Sequence, residues 1–472
     1  MNGSAAMKNL MQTIGGGLLL ASVFALHAEA PQADATTRSQ EPNTLLPAGV
    51  QRYAPSPLPD RIVALPAQDG ARGFSVSWRT NTAVREPLLE ISPASDSPDA
   101  WAEHGAPRQL RASTHELLAG NGLAHHHQVR VDGLEPGRLY AWRVQGDRSW
   151  SPWRQLRTAA APGTPLEFVY LGDTQNKNAS LGTRVAYEAV RFAPDADLVL
   201  FAGDLVSEAV DDDEWGEWFD ATAPLARMLF APAAGNHEFY KEHEDTEQER
   251  RVLGPQWWSH FALPGNGAPG VEASSYWFDW QGVRFAVVDG TSALDLGAAP
   301  AQARWLDQVL ADNPQRWSIV LLHQPVYSPR AGRDNRLLRE HLQPVLERHI
   351  VDLVLQGHDH TYGRRGGDDP QRATPQYIVS VAGAKQYRLS DQARRSMAPV
   401  GEDTQLFQVI RIEGDVLSYR AHTVTGQLYD AFELRRDGAA GTTLHEQPEG
   451  RIAPRDCGRE ATLGGRRDRC WE

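Results

Sequence analysis

Two rhythms of apolar and polar positions divide the chain. Between Pro59 and Thr158 apolar residues recur at every second position in short runs: Gly73-Phe74-Ser75-Val76-Ser77-Trp78-Arg79, His127-Gln128-Val129-Arg130-Val131 and Leu139-Tyr140-Ala141-Trp142-Arg143-Val144. Period-two alternation puts successive side chains on opposite faces, so each run reads as a strand with one buried face. The turn signal Leu134-Glu135-Pro136-Gly137 separates the last two, and short strands between such turns predict a β-sandwich over 59–158. After the small-residue stretch Ala159-Ala160-Ala161-Pro162-Gly163 the pattern changes to continuous apolar runs at Leu166 to Leu171, Asp197 to Phe201, Trp317 to Leu322 and Val351 to Leu355. Such runs suit strands covered on both faces. Helical patterns from Gly182 to Phe192, Ala301 to Ala311 and Leu337 to Arg348 alternate with them, predicting a layered α/β domain over 164–436.

The flanks follow neither rhythm. Lys8, an apolar run from Gly15 to Leu26 and the small residues Ala28-Glu29-Ala30 have the make-up of a secretory signal over 1–30, so a secreted or periplasmic protein is expected. That run is shorter than the roughly 20 residues a bilayer requires, and no later segment is long and apolar enough to span. Residues 31–58, rich in Pro, Ala, Thr and Gln, read as a linker. The tail 437–472 holds Cys457 and Cys470, the two cysteines of the 472 residues. In an exported chain they are expected to pair, since two thiolates alone build no metal site.

Charge narrows the partners. Lys+Arg 47 against Asp+Glu 60 gives a net charge of −13, a field that opposes nucleic acid and anionic membrane surfaces. With 41% hydrophobic residues a substantial core is affordable. The triple histidine His125 to His127 lies on a predicted strand, where His125 and His127 share a face and His126 does not. With no partner ligand in sequence, a polar strand edge is expected there rather than a metal site.

Candidate chemistry gathers in short polar clusters, most of them directly after a predicted strand. They are Gly172-Asp173-Thr174-Gln175, Gly203-Asp204-Leu205, Gly235-Asn236-His237-Glu238, His323-Gln324-Pro325 and Gly357-His358-Asp359-His360. In open α/β sheets, ligands bind beyond the carboxyl ends of strands, so these clusters are expected to meet in one crevice. Asp173, Asp204, Asn236, His323, His358 and His360 are all metal-ligand types, and one carboxylate can bridge two cations. Glycine before the ligand is expected to let the backbone turn sharply. No His-Glu pair has the second histidine of a zinc protease helix, and no Gly-x-x-x-x-Gly-Lys-Ser/Thr phosphate loop occurs.

In this order the clusters resemble the calcineurin-like metallophosphoesterase superfamily, and with the preceding sandwich its purple acid phosphatase branch. The sandwich itself resembles a fibronectin type III-like module through Ser77-Trp78-Arg79, Val131 to Gly137, Tyr140 to Val144 and Leu156-Arg157-Thr158. The resemblance implies two metal ions, drawn from Fe, Mn and Zn. Metal site one would use Asp173, Asp204 and His360; site two would use Asp204, Asn236, His323 and His358. It implies hydrolysis of small phosphorylated substrates, monoesters favoured, by a hydroxide held at the metal pair, with His237 contacting the phosphate or protonating the leaving group. A phosphodiesterase or nucleotidase with the same site, and an inactive exported binding protein, are the alternatives.

Two departures from the pattern matter. The branch's iron-ligating tyrosine falls at Ser207, and the histidine that other branches place two residues after the first Asp is Gln175. Gln175 either supplies a neutral oxygen to site one or orients a water; in both cases a divalent ion is expected there and visible charge-transfer colour is not. After His323, further histidines give way to Tyr327-Ser328-Pro329-Arg330-Ala331-Gly332-Arg333. Arg330 and Arg333 therefore either hold phosphate through paired donors or solvate the loop. Tyr362 and Arg364 are further candidates to line the pocket.

Overall fold

The computed structural model describes residues 42–98, 103–438 and 441–457, together with two short strands at 462–463 and 466–467. The expected signal segment 1–30 and Cys470, partner of the expected disulfide to Cys457, lie outside the described residues. No helix among the described residues is long and apolar enough to cross a membrane.

Residues 60–157 form a β-sandwich of two four-stranded antiparallel sheets. One orders Asp60–Pro66, Gly73–Thr80, Gly122–Asp132 and Ser113–Ala119; the other Arg108–Arg111, Leu88–Pro93, Leu139–Val144 and Arg154–Arg157. Phe74, Val76 and Trp78 point between the sheets onto Trp142 and Val144, as the alternation predicts. The polar set Ser75, Ser77 and Arg79 is buried as well, because that face of the sheet lies against the second domain rather than water. Ser77 Oγ accepts the Ala262 N–H at 3.3 Å. Arg79 reaches Asp212 at 3.0 Å, Arg61 reaches the same carboxylate at 2.6 Å, and both guanidiniums are buried. Along Asp60–Pro66 the alternation divides between two cores: Ile62 and Ala64 join the sandwich interior, Val63 and Leu65 the cluster around Phe201 and Trp218.

This interface corrects the expectation of a polar edge at the histidine triplet. Gly122–Asp132 is an interior strand and all three rings are buried. His127 sits between the hydroxyls of Thr80 (2.7 Å) and Thr114 (2.9 Å), and His125 Nδ1–H donates to the Val84 carbonyl (2.7 Å). His126, on the opposite face, packs between His115 and His260. Local hydrogen bonds satisfy both nitrogens of His125 and of His127, whereas Nδ1 of His126 and of His260 is buried with no hydrogen-bond partner.

Residues 166–446 contain two seven-stranded mixed sheets. The first runs Leu229–Pro232, Leu198–Phe201, Leu166–Leu171, then four strands from Leu406 to Glu446. Its first three strands are parallel and the rest antiparallel. In the second, Val283–Val288, Trp317–Leu322, Leu353–Gln356 and Gln376–Val379 are parallel, with antiparallel strands at the flanks. The sheets share one apolar core that includes Phe168, Tyr170, Phe285, Ile319, Leu355 and Ile410. Helices Thr183–Phe192 and Asp212–Ala221 cover the first sheet's outer face, and Ala299–Ala311 and Gln343–Arg348 the second's. Apolar runs without alternation follow from this four-layer arrangement. The helix expected from Leu337 to Arg348 is broken into Arg336–His341 and Gln343–Arg348, where Pro344 lacks an N–H to continue the ladder.

Candidate metal centre

Five parallel strands end at one rim, and each delivers a polar side chain there. Leu166–Leu171 leads to Asp173, Leu198–Phe201 to Asp204, Leu229–Pro232 to Asn236 and His237, Trp317–Leu322 to His323, and Leu353–Gln356 to His358 and His360. Four of these residues have left-handed backbones: Asp173 (φ 43°), Asp204 (50°), His358 (71°) and His360 (46°). Side chains with a Cβ rarely adopt this region, and each instance costs on the order of 1–3 kcal/mol.

Specific hydrogen bonds hold these turns in place. The His358 N–H donates to both Asp173 carboxylate oxygens (2.8 and 2.7 Å). The buried Glu238 carboxylate accepts from three backbone N–H groups: Gly235 (2.6 Å), Leu205 (2.7 Å) and Asp204 (2.9 Å). The glycines meet the expectation of a sharp turn only in part. Gly203 does turn left-handed (φ 85°), but Gly235 is extended. What Gly235 and Gly357 provide is room: a Cβ would lie 2.2 Å from Asp204 Oδ1 at the first and 2.4 Å from Asp173 Oδ2 at the second.

The donor atoms form two overlapping sets, Asp204–His323–His358 and Asp173–Asp204–His360, in which all ligand atoms lie within 4.8 Å of one another. His323 Nδ1–H donates to the Ala202 carbonyl (2.7 Å), which turns Nε2 toward the cluster, where it becomes a cation ligand once its own proton leaves. That nitrogen faces Asp204 Oδ2 (3.1 Å), Asn236 Oδ1 (3.1 Å) and His358 Nδ1 (3.0 Å). Oxygen and imidazole atoms converging on one point fit a cation, and in its absence a proton on His323 supplies the positive charge. On the other side His360 Nδ1–H donates to the Lys385 carbonyl (2.8 Å), and Nε2 faces Asp173 Oδ1 at 3.5 Å. Gln175 lies in the same group: its Nε2 is 3.1 Å from Asp204 Oδ2 and 3.2 Å from His360 Nε2, while its Oε1 is buried with no hydrogen-bond partner. Turned over, the amide presents that oxygen to the cluster.

The electrostatics describe the same demand for positive charge. Burial opposes charge on His323, but Asp204 and Asp173 outweigh it and raise its pKa to about 9. Burial, with the Asp204 charge adding to it, lifts Asp173 well above the usual carboxylate range. Asp204 is driven well below that range, because the surrounding histidines overcome its burial. Burial keeps His358 and His360 neutral. Asp173, Asp204, His323 and His360 are inaccessible, whereas Asn236, His237 and His358 are part-exposed and mark the open side. His237 donates its backbone N–H to Asp204 Oδ1 (2.9 Å) and its Nδ1–H to the Ser207 carbonyl (2.6 Å), with Nε2 4.0 Å from Asp204 Oδ2. The Ser207 hydroxyl accepts from Asn176 Nδ2 at 2.8 Å.

The arginine and tyrosine candidates separate. Tyr362 is buried in the core, its hydroxyl donating to Asp430 (2.7 Å), and Arg364 pairs with Asp430 and Glu446. Neither lines the pocket, because the strand Tyr362–Gly366 begins at once after His360 and Thr361 and turns these polar ends onto buried carboxylates. Arg333 is engaged by the Asp359 carboxylate and the His358 carbonyl, so it braces the His358 loop instead of standing free for phosphate. Arg330 lies flat on Tyr387, its guanidinium carbon 3.8 Å from the ring centroid, and Tyr387 packs against His360 at 4.8 Å. Sequence reasoning missed Glu238, Asp359, Lys385 and Tyr387. Glu238 and Asp359 stood inside the motifs; Lys385 and Tyr387 stand in a loop with no signal of its own.

Comparison with known proteins agrees with this architecture. The calcineurin-like phosphoesterase family model matches residues 166–362, and the purple acid phosphatase N-terminal domain model matches 59–158. An uncharacterized protein of Mycobacterium tuberculosis is 27% identical over 326 residues, covering 61% of this chain and 59% of its own. The Fe(3+)-Zn(2+) purple acid phosphatase 12 of Arabidopsis thaliana is 24% identical over 328 residues, covering 65% of each chain. The chain thus spans 59–65% of the length of these curated relatives. Among solved structures, purple acid phosphatase PPD1 from yellow lupin seeds superposes with a TM-score of 0.65 at 20% identity, covering 81% of this chain and 75% of that one. PhoD superposes with a TM-score of 0.60 at 13% identity, covering 85% and 94%. At these identities the structures speak for the fold.

Proposed function

We propose that this chain, a purple acid phosphatase N-terminal domain joined to a calcineurin-like phosphoesterase domain, is a secreted dinuclear metal hydrolase of small phosphate esters, with monoesters preferred. The observation that carries the reading is Asp204, which belongs to both ligand sets. A carboxylate common to two cation positions is what a pair of metals acting on one phosphoryl group requires. Site one is assigned to Asp173, Asp204 and His360, with Gln175 Oε1 as a further donor. Site two is assigned to Asp204, Asn236, His323 and His358. Oxygen and imidazole donors suit Mn, Zn or Fe, and a neutral amide in place of a tyrosinate favours a divalent ion at site one.

Bound cations supply charge that neutralises the phosphoryl oxygens and acidity to a water molecule. The chain's own groups do the rest. Glu238, through the Asp204 N–H, and the His237 N–H, on the Asp204 carboxylate, fix the shared ligand. His323 and His360 each commit Nδ1–H to a carbonyl and so present a fixed Nε2. The bond from His237 Nδ1–H to Ser207 leaves Nε2 on the open side, where a proton held near Asp204 passes to the departing alkoxide.

The test is hydrolysis of p-nitrophenyl phosphate and bis(p-nitrophenyl) phosphate by protein loaded with Mn, Zn or Fe, with Asp204→Asn as control. Metal-dependent turnover, faster on the monoester and abolished by Asp204→Asn, is expected. Faster turnover of the diester would transfer the reading to a phosphodiesterase, and no turnover with any metal to a binding protein. Export is tested by N-terminal sequencing of the extracellular or periplasmic product, where a start after Ala30 is expected.

A further inference from the structure

We infer that Arg330 and Lys385 form a second anion subsite beside metal site one, so that the preferred substrates carry another phosphoryl group next to the scissile one, as organic diphosphates do. The inference rests on the phosphohydrolase reading above and adds a substrate class in which the bond broken is the P–O–P anhydride and the leaving group is an organic phosphate instead of an alkoxide.

The subsite is fastened to a metal-ligand residue. His360 Nδ1–H donates to the Lys385 carbonyl (2.8 Å), and the Tyr387 N–H donates back to the His360 carbonyl (3.1 Å). The Tyr387 ring stands edge-on to the imidazole, centroids 4.8 Å apart. Arg330 arrives from the loop after His323 and is held there by its backbone bridge to Leu389 and by the Ser390 N–H donating to the Pro329 carbonyl (2.8 Å). Its guanidinium covers the Tyr387 ring at 3.8 Å, and Lys385 Nζ lies 5.6 Å from the same centroid.

Charge distinguishes these two cations from their neighbours. Arg333 is consumed by Asp359, a carboxylate that also accepts from the Ser328 hydroxyl. Arg330 and Lys385 have no carboxylate within ion-pair distance among the described residues, and both are part-buried. A guanidinium stacked on an aromatic face keeps its N–H edge free for two parallel bonds to phosphate. The Lys385 ammonium adds a point charge on the same ring's flank. Two unpartnered cations on the His360 side exceed what a phosphoryl group already neutralised by a metal pair requires, and they match a second phosphate.

The test compares binding of inorganic phosphate and methylenediphosphonate to Mn-loaded protein by calorimetry, in wild type, Arg330→Met, Lys385→Met and the double variant. Metal content and far-UV circular dichroism check each protein, and Arg330→Lys stands in should Arg330→Met fail to fold. The diphosphonate is expected to bind wild type at least tenfold tighter than phosphate. That ratio should fall at least threefold in each single variant and approach one in the double variant. A ratio near one in wild type, or one that survives the double substitution, overturns the subsite while metal-dependent phosphate binding leaves the hydrolase reading standing. Absence of any metal-dependent phosphate binding overturns both.

Discussion

Replacing Glu238 by glutamine should weaken both cation positions together. The carboxylate accepts from Gly235, Leu205 and Asp204 N–H groups at 2.6, 2.7 and 2.9 Å and is fully buried. Its Oε2 takes two of these bonds and its Oε1 takes the third, from Leu205. A glutamine keeps one oxygen, so its NH2 group faces at least one N–H with no acceptor between them. Losing a hydrogen bond to a charged acceptor, with a donor left buried, costs about 2–3 kcal/mol of stability. Asp204 has φ 50°, a conformation whose strain of about 1–3 kcal/mol favours relaxation once its N–H is released. Relaxation swings a carboxylate common to both ligand sets. Loss of a partner behind a ligand typically lowers metal affinity 10- to 100-fold, or about 1.4–2.7 kcal/mol. Calorimetric titration of metal-free wild type and Glu238→Gln with Mn2+ or Zn2+ measures both constants, and denaturant unfolding measures the stability cost. Two affinities unchanged within threefold in a folded variant, or a fall confined to one site, would refute Glu238 as the residue that positions the shared ligand.

Further outcomes follow from other parts of the structure. Gly235→Ala places a Cβ 2.4 Å from the Asp204 backbone nitrogen, which cannot retreat cheaply, so metal affinity should drop at least tenfold; full metal binding would show that the approach is not needed. Asp212→Asn leaves the buried guanidiniums of Arg61 and Arg79 facing a neutral amide, and denaturant unfolding should show a loss of about 3–5 kcal/mol; a change under 1 kcal/mol would contradict the accounting. Burial raises the Glu214 pKa from an ordinary 4.5 to about 7. Its contribution is therefore complete below the unfolded value and is lost as pH rises through the folded one, by at most about 3 kcal/mol. Glu214→Gln lacks that slope, so the stability difference between variant and wild type should move in the variant's favour from pH 4.5 to 7 and then level off; a difference independent of pH refutes the shift. With Ser207 where a phenol ligand was sought, metal-loaded protein should show no strong visible absorption band, and a band in its spectrum would count against the assignment.

The layered α/β architecture and the ligand types were legible because each follows from neighbours in the chain. Continuous apolar runs mark strands covered on both faces, and a polar cluster just past such a strand marks the rim of a sheet. Glu238 and Asp359 lay within the same motifs, but their partners are backbone N–H groups and a loop hydroxyl that no spacing rule reveals. The Arg333 and Tyr362 expectations failed for a similar reason. An arginine or phenol reads the same in sequence whether it faces solvent or a buried carboxylate, and here Asp359 and Asp430 claimed them.

What the sequence determined by itself, then, was local: period, strand ends, and the kinds of atoms offered at each rim. Tertiary structure decided which acceptors converge, which cations stay unpaired and which polar faces are covered. The buried set Ser75, Ser77 and Arg79 was set against a second domain whose Asp212 lies 133 residues from Arg79, and Arg330 met Tyr387 across two loops. Charge pairing and desolvation depend on distances through space, which alternation along a chain does not encode.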